Sequence, residues 1–169
     1  HNIRVISPDI GGGFGNKVGV YPGYICSIVA SIVTGKPVKW IEDRIENLTA
    51  TAFARDYWMQ GKIAATKEGK ITGLWCHTTA DHGAFDACAD PTKFPAGFMN
   101  ICTGSYDIPT AYLCVDGIYT NKAPGGVAYR CSFRVTEAAY FIERMIEILA
   151  IKLNMVAAEL RRINFIKKE

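Results

Sequence analysis

The chain has 169 residues, and its 49% hydrophobic and 21% charged composition is typical of a globular protein that can bury a sizeable core. Its 19 basic and 16 acidic residues leave a net charge of +3, an excess too small to predict binding to nucleic acid or to a membrane surface. No apolar run approaches the ~20 residues that cross a bilayer, so no transmembrane segment is predicted. Because the chain begins at His1 without an initiator methionine, we expect residues 1–169 to be a central fragment of a longer protein.

The first part of the chain predicts a β-α-β unit. Residues Ile3 to Ser7 favour a short strand, which leads into a glycine-rich loop from Pro8 to Lys17. Apolar residues then recur at helical spacing from Tyr21 to Ile32, and a glycine and a proline follow where the helix should end. Val38 to Ile41 favours a second strand.

The remaining elements predict a mixed α+β protein, with helices packed on mixed sheets. Asp56 to Thr66 and Lys70 to Thr79 are predicted to form a hairpin around a short glycine turn. Ala111 to Tyr119 favours another strand. Apolar residues along one face predict a helix from Val135 to Leu153, and a last helix is expected near Ala157 to Ile163.

The glycine loop offers backbone N–H groups to an anion close to a helix N-terminus. It is not a phosphate-binding P-loop, because Asn16-Lys17-Val18 lacks both the glycine before the lysine and the hydroxyl after it. It is not a dinucleotide fingerprint either, since Asn16 occupies the place of the last glycine. A tight turn that needs positive backbone angles is the structural alternative.

Six cysteines are present, and no two have the Cys-x-x-Cys spacing of a metal knuckle. A chain of this size and composition does not need a disulfide framework. We expect five of them to be buried thiols that fill space in a reducing cytosol, namely Cys26, Cys76, Cys88, Cys102 and Cys114.

Cys131 stands apart, because Arg130 and Arg134 lie on either side of it and a predicted helix follows. Two cations and the positive end of a helix favour a thiolate. A thiolate is the soft ligand that Cu(I) prefers. From these residues alone, a cysteine packed ahead of a helix remains the alternative.

Two groups of polar and charged residues are further candidate sites. A hard-metal cluster at His77, Asp81, His82, Asp86 and Asp90 lacks the dense spacing of a calcium loop, so loop carboxylates and helix caps are expected there. The charge run from Glu42 to Glu46 is interpreted as a solvated face or a buried ion-pair network.

Three segments together resemble one known family. Gly11 to Lys17 resembles the Gly-Gly-Gly-Phe-Gly-x-Lys loop of the xanthine oxidase and aldehyde oxidase family of molybdenum hydroxylases. Ala158 to Asn164 is similar to the family's Glu-Leu-Arg-x-x-Asn helix. Val127 to Arg134 resembles the active-site signature of the aerobic carbon monoxide dehydrogenase branch, in which a cysteine carries copper. Cys131 stands where purine- and aldehyde-oxidising members have glycine, and Val18 stands where purine-oxidising members have glutamate.

The resemblance implies a set of site residues. The cofactor-binding residues would be Gly12, Gly13, Phe14, Gly15 and Arg130. The catalytic residues would be Cys131, Arg130 and Phe133, with Cys131 as the copper ligand.

The resemblance also implies the activity, cofactors and partners of the full subunit. Carbon monoxide and water would become carbon dioxide at molybdenum held by molybdopterin cytosine dinucleotide and bridged to Cu(I) on Cys131. Electrons would pass to an iron–sulfur small subunit and a flavin (FAD) medium subunit, in a dimer of heterotrimers. The implied location is cytoplasmic, which leaves open a peripheral position at the inner face of the membrane. The fragment alone is expected to be inactive, because the family's glutamate beside molybdenum comes from a segment beyond residue 169.

Two other functions remain open at this point. One is a molybdenum hydroxylase of aldehydes or heterocycles in which Cys131 is inert. The other is a non-catalytic module that binds an anion or nucleotide through the glycine loop.

Overall fold

The computed structural model describes residues 3–51, 56–85, 97–123 and 135–167. The α+β class is confirmed, because these residues form four helices of seven residues or more and a three-stranded sheet. The helices are α1 (Pro22–Thr34), α2 (Arg44–Ala50), α3 (Val135–Leu153) and α4 (Ala157–Asn164), and the strands are β1 (Tyr57–Ala65), β2 (Ile71–Asp81) and β3 (Ala111–Ile118).

The sheet is mixed and has the order β1-β2-β3. β1 and β2 form the predicted antiparallel hairpin, in which Gly61 lies opposite Cys76. β3 lies parallel to β2 on its other side and places Cys114 opposite His77. Gly69 completes the hairpin turn with a φ of 89°, a left-handed conformation that glycine adopts without steric cost.

One face of the sheet carries the hydrophobic core, and α3 covers it. Fully buried side chains on the helices meet those of the sheet and of the segment before β3, among them Ile146, Cys76 and Phe98. The helix approaches β1 closely at Gly61, where an added Cβ would lie 2.7 Å from Cε2 of Phe141. Burial of these apolar groups is the main source of stability for this part of the chain.

The short helix α4 fastens the hairpin turn to the core through Asn164. Its Oδ1 accepts a hydrogen bond from the Ile71 backbone N–H at 2.8 Å. Its Nδ2 donates to the Gly69 carbonyl at 2.7 Å and to the Leu160 carbonyl at 2.9 Å. The Glu-Leu-Arg-x-x-Asn pattern therefore has a structural role here.

Arg161 of the same helix links α4 to α3. Its guanidinium lies 2.8 Å from Glu143 and 2.7 Å from Glu147. The hydrogen bonds to Glu147 and Glu143 raise the pKa of Arg161 further above its already high value. Tyr106 donates to the same Glu143 at 2.7 Å, and burial together with this bond raises the pKa of Tyr106 to about 12.

The predicted β-α-β unit is wrong in its strands and right in its helix. Residues 3–7 and 38–41 have no strand pairing within the described ranges, whereas α1 forms as predicted. A strand exists only when another strand satisfies its backbone groups, and apolar composition does not supply that partner. Residues 3–7 are exposed accordingly.

The expectation that five cysteines are buried holds for only some of them. Cys76 and Cys102 are fully buried, Cys114 is half-buried, and Cys26 is exposed on α1. A hydrogen bond with Cys76 and burial raise the pKa of the Cys102 thiol, so it stays protonated. Cys88 lies outside the described residues.

No helix within the described ranges combines the length and the apolar composition that crossing a membrane requires.

Candidate cofactor site

The glycine loop adopts a compact left-handed turn just before α1. Phe14 has a φ of 49°, which is uncommon for a residue with a side chain, and Gly15 follows with 83°. Two hydrogen bonds close the turn, from Lys17 N–H to the Gly13 carbonyl at 3.3 Å and from Val18 N–H to the Gly15 carbonyl at 3.2 Å. Both are longer than the commonest N–H···O distance of about 2.9–3.0 Å, so they hold the turn less firmly than average hydrogen bonds do.

Gly12 lies under the ring of Phe14. A Cβ at Gly12 would lie 2.4 Å from Cε2 of that ring, so a side chain there would force the ring away. Gly11 has no atom within 4 Å of an added Cβ, and Gly13 has only Lys17, at 3.7 Å. The Phe14 ring therefore covers Gly12, whereas the backbone at Gly11 and Gly13 leaves room that a ligand can approach closely.

Helix α2 faces the glycine loop, and the sequence reasoning missed it. The Asp43 carboxylate accepts a hydrogen bond from the Glu46 N–H at 2.8 Å, and the Glu46 side chain accepts one from the Asp43 N–H at 2.9 Å. This reciprocal capping box starts the helix. The Asp-x-x-Glu spacing of Asp43 and Glu46 could have predicted this helix start, but both residues belong to the charge run that was interpreted as a solvated face or an ion-pair network.

Side chains from the loop and from the start of α2 are joined by polar contacts. The Lys17 ammonium lies 3.3 Å from Oε2 of Glu42. The same carboxylate oxygen accepts from Nδ2 of Asn47 at 2.6 Å. Nδ2 of Asn16 donates to Oδ1 of Asn47 at 3.2 Å. The buried Tyr21 hydroxyl also donates to the Asn16 carbonyl, at 2.6 Å.

A cavity of about 510 Å³ lies between the loop and α2. Gly12, Gly13 and Phe14 line one side, and Glu42 and Asn47 line the other. Among the described residues, no carbonyl accepts a hydrogen bond from the backbone N–H groups of Gly12 and Gly13. Backbone amides beside glycines fit a hydrogen-bond acceptor such as a phosphate oxygen or the carbonyl oxygen of a pterin.

Three predicted site residues, Arg130, Cys131 and Phe133, lie outside the described residues. Their roles therefore stay predictions. Gly12, Gly13, Phe14 and Gly15 are described, and the loop brings them together.

Asp81 acts as a loop carboxylate. Its Oδ1 accepts from the Gly83 N–H and the Thr120 hydroxyl, each at 2.8 Å. Desolvation opposes ionisation, but these hydrogen bonds together with the Lys122 ammonium, 3.0 Å from Oδ2, outweigh it and lower the pKa of Asp81. Asp86 and Asp90 lie outside the described residues, so the hard-metal alternative gains no support.

A second group of candidate ligands, which the sequence did not single out, lies on the open face of the sheet. The ligand atoms of His77, Cys114 and Asp116 lie within 4.8 Å of one another. However, Nε2 of His77 and Oδ2 of Asp116 are only 2.7 Å apart. Two ligands of a tetrahedral zinc ion with bonds of about 2.0 Å would lie about 3.3 Å apart. This pair is therefore a hydrogen bond beside a half-buried thiol.

The family model of the molybdopterin cofactor-binding domain matches residues 1–165. The chain belongs to this family. The match includes the glycine loop, the cavity beside it and all four helices. The fold expected for a molybdopterin-binding domain is therefore confirmed.

Relatives within the molybdopterin cofactor-binding domain family include two proteins named carbon monoxide dehydrogenase large chain. The chain is 72% identical over 167 residues to the one from Hydrogenophaga pseudoflava, which covers 99% of this chain. It is 71% identical over 169 residues to the one from Afipia carboxidovorans, which covers 100% of this chain. The chain spans about a fifth (21%) of the length of each relative.

A solved structure shows the same similarity. The fold superimposes on a crystal structure of a Cu,Mo-CO dehydrogenase in its carbon monoxide reduced state with a TM-score of 0.89 and 72% identity. The superposition covers 96% of this chain and 20% of that chain.

Proposed function

We propose that residues 1–169 form the central part of the cofactor-binding domain in the molybdenum-binding large subunit of an aerobic carbon monoxide dehydrogenase. The observation that carries the proposal is identity of 72% and 71% to two carbon monoxide dehydrogenase large chains, over nearly the whole chain. Cys131 agrees with it, because the segment Val127 to Arg134 around this cysteine resembles the copper-carrying branch.

The proposed reaction converts carbon monoxide and water to carbon dioxide, two protons and two electrons. When bound, molybdenum on molybdopterin cytosine dinucleotide and Cu(I) supply the two-electron acceptor and the site for carbon monoxide. The Cys131 thiolate holds the copper, which as a soft ion prefers sulfur. Arg130 adds positive charge beside it, and Phe133 adds an apolar wall. The backbone of Gly12–Gly15 lies against the cofactor.

The proposal includes partners and a location. The electrons pass to iron–sulfur clusters in a small subunit and to FAD in a medium subunit, within a dimer of heterotrimers. We expect the assembly in the cytoplasm, and a peripheral position at the inner face of the membrane is compatible with the same chemistry.

Metal analysis of the full enzyme tests the proposal. We expect molybdenum and copper in equal amounts, and we expect Cys131→Ser to lose copper and carbon monoxide oxidation while it keeps molybdenum and the dinucleotide. Cys26→Ser is the matched control, because that exposed thiol on α1 should leave both metals and turnover unchanged.

The other outcomes of metal analysis separate the alternatives. Molybdenum without copper favours a hydroxylase of aldehydes or heterocycles in which Cys131 is inert. The absence of both metals favours the anion-binding module. Carbon monoxide oxidation at the parent rate by Cys131→Ser removes the copper assignment.

A further inference from the structure

Four side chains form a chain of polar contacts between the glycine loop and α2, and the backbone between Asn16 and Lys17 closes it into a ring. Asn16 and Lys17 are neighbours at the end of the loop, while Glu42 and Asn47 flank the first turn of α2. Lys17 reaches Glu42 at 3.3 Å, Asn47 reaches the same carboxylate at 2.6 Å, and Asn16 reaches Asn47 at 3.2 Å. The ring joins positions up to 31 residues apart in the sequence.

Glu42 is the central member of this ring. Its side chain is only 13% exposed, whereas that of Lys17 is 52% exposed. A carboxylate with so little contact with water needs donors, and both described donors converge on its Oε2 atom. An ion pair with a half-exposed lysine contributes little to global stability. The main consequence of the contact is therefore geometric.

Contacts from outside the turn hold the loop, namely this ring and the hydrogen bond of 2.6 Å from the Tyr21 hydroxyl to the Asn16 carbonyl. Phe14 has a left-handed backbone conformation, which persists only where the surroundings hold it. The two hydrogen bonds inside the turn, at 3.2 and 3.3 Å, exceed the commonest distance of about 2.9–3.0 Å. The ring engages Asn16 and Lys17, which directly follow Phe14 and Gly15.

We propose that Glu42 is a positioning residue for the cofactor. Through Lys17 and Asn47 it sets the distance between the glycine loop and α2, and so the width of the cavity of about 510 Å³ that both line. The proposal rests on the proposed function only in assuming that a molybdenum cofactor lies against this loop. Misplacement by about 1 Å of a group that orients a reacting centre can lower a rate by as much as about 100-fold.

The test compares Glu42→Gln with Glu46→Gln in the purified full enzyme. Glu42→Gln keeps the size of the side chain and an acceptor for Asn47 but removes the charge that holds Lys17. Glu46 is a matched control, because it also supports the start of α2 but makes no hydrogen bond to the loop among the described residues. The measurements are molybdenum content, the electron paramagnetic resonance spectrum of partly reduced molybdenum, and kcat and KM for carbon monoxide.

We expect Glu42→Gln to shift the molybdenum spectrum and to lower kcat roughly 10-fold or more, with KM for carbon monoxide changed less. Glu46→Gln should leave the spectrum unchanged. Lys17→Met breaks the same link from its other end and replaces Glu42→Gln if that variant does not fold. An unchanged spectrum in a folded Glu42→Gln or Lys17→Met enzyme overturns the proposal, as does the same shift in Glu46→Gln.

A chemical reductant can generate this spectrum without carbon monoxide, so failure of the positioning role is distinguishable from failure of the proposed function. A parent enzyme that contains molybdenum but does not oxidise carbon monoxide contradicts the function. Its spectrum still reports whether Glu42 positions the cofactor.

Discussion

Asn164 shows how one buried side chain can connect distant parts of the fold. It is fully buried and contacts the hairpin turn, 93 and 95 residues away in the sequence, through hydrogen bonds of 2.8 and 2.7 Å. An amide is suited to this place because it accepts and donates at once. A leucine or an aspartate of similar size lacks the donor.

Asn164→Ala should destabilise the turn around Gly69 because it leaves the Ile71 N–H and the Gly69 carbonyl buried without partners. The expected loss is about 1–3 kcal/mol of local stability for each group left unsatisfied. Hydrogen exchange in the full enzyme should show faster exchange at residues 69–71. Asn121→Ala, at an exposed position, is the control. Unchanged protection at residue 71 in Asn164→Ala would show that the hydrogen bonds contribute nothing there.

At the scale of secondary structure elements, the packing of α3 on β1 depends on the missing side chain of Gly61. An added Cβ would lie 2.7 Å from Cε2 of Phe141 and 2.8 Å from the sulfur of Met145. Phe141 is itself buried in the core, so its ring has little room to move. The strand and the helix can therefore approach this closely only with glycine at the crossing point.

Gly61→Ala should push α3 away from the sheet at a cost of about 1–3 kcal/mol, the usual range for overpacking. Thermal inactivation of the full enzyme measures the effect, as a shorter half-life. Gly73→Ala is a matched control on β2, since its Cβ would meet only ordinary contacts at 3.8 and 3.9 Å. Equal half-lives for the two variants would contradict the packing argument.

The elements that the sequence predicted correctly are those that depend on local information. The helical spacing of apolar residues predicted α1 and α3, and the glycine turn predicted the hairpin of β1 and β2. The predicted strands at residues 3–7 and 38–41 failed because pairing depends on distant segments. The short α2 was missed because its capping box resembled a charge run. The glycine loop was predicted from its motif. Its contact with α2 joins residues that are far apart in the sequence, so no local pattern could predict it.

At the scale of the whole molecule, the described residues divide into a packed part and an open part. The sheet, α3 and α4 share one core. By contrast, α1 has no buried residue, and apolar side chains such as Ile28 and Ile32 are 61% and 75% exposed. Apolar surface on this scale is typical of a region that contacts other protein segments. The glycine loop directly precedes α1 in the chain. Experiments on the loop should therefore use the full enzyme, in which other protein segments can cover α1.

The proposed site should select a small, weakly polar substrate. Val18 directly follows the lysine of the glycine loop. Purine-oxidising members of the xanthine oxidase and aldehyde oxidase family carry a glutamate at this position, which forms hydrogen bonds with the purine ring. A heterocycle facing valine would lose a hydrogen bond, at a cost of about 1–3 kcal/mol. Copper on Cys131 would also fill space that a ring needs. We therefore expect the full enzyme to turn over hypoxanthine and benzaldehyde far more slowly than carbon monoxide.

Val18→Glu separates these two causes. The backbone N–H of residue 18 bonds to the Gly15 carbonyl at 3.2 Å, and the side chain is 56% exposed, so a glutamate can be accommodated without disturbing the turn. We expect this variant to remain inactive on hypoxanthine, because copper on Cys131 would still block the ring. Steady-state rates with the three substrates measure the outcome. Hypoxanthine oxidation that appears in Val18→Glu would show that the missing glutamate alone excluded purines. Rapid hypoxanthine oxidation by the unmodified enzyme would reject carbon monoxide as its substrate in favour of the hydroxylase alternative.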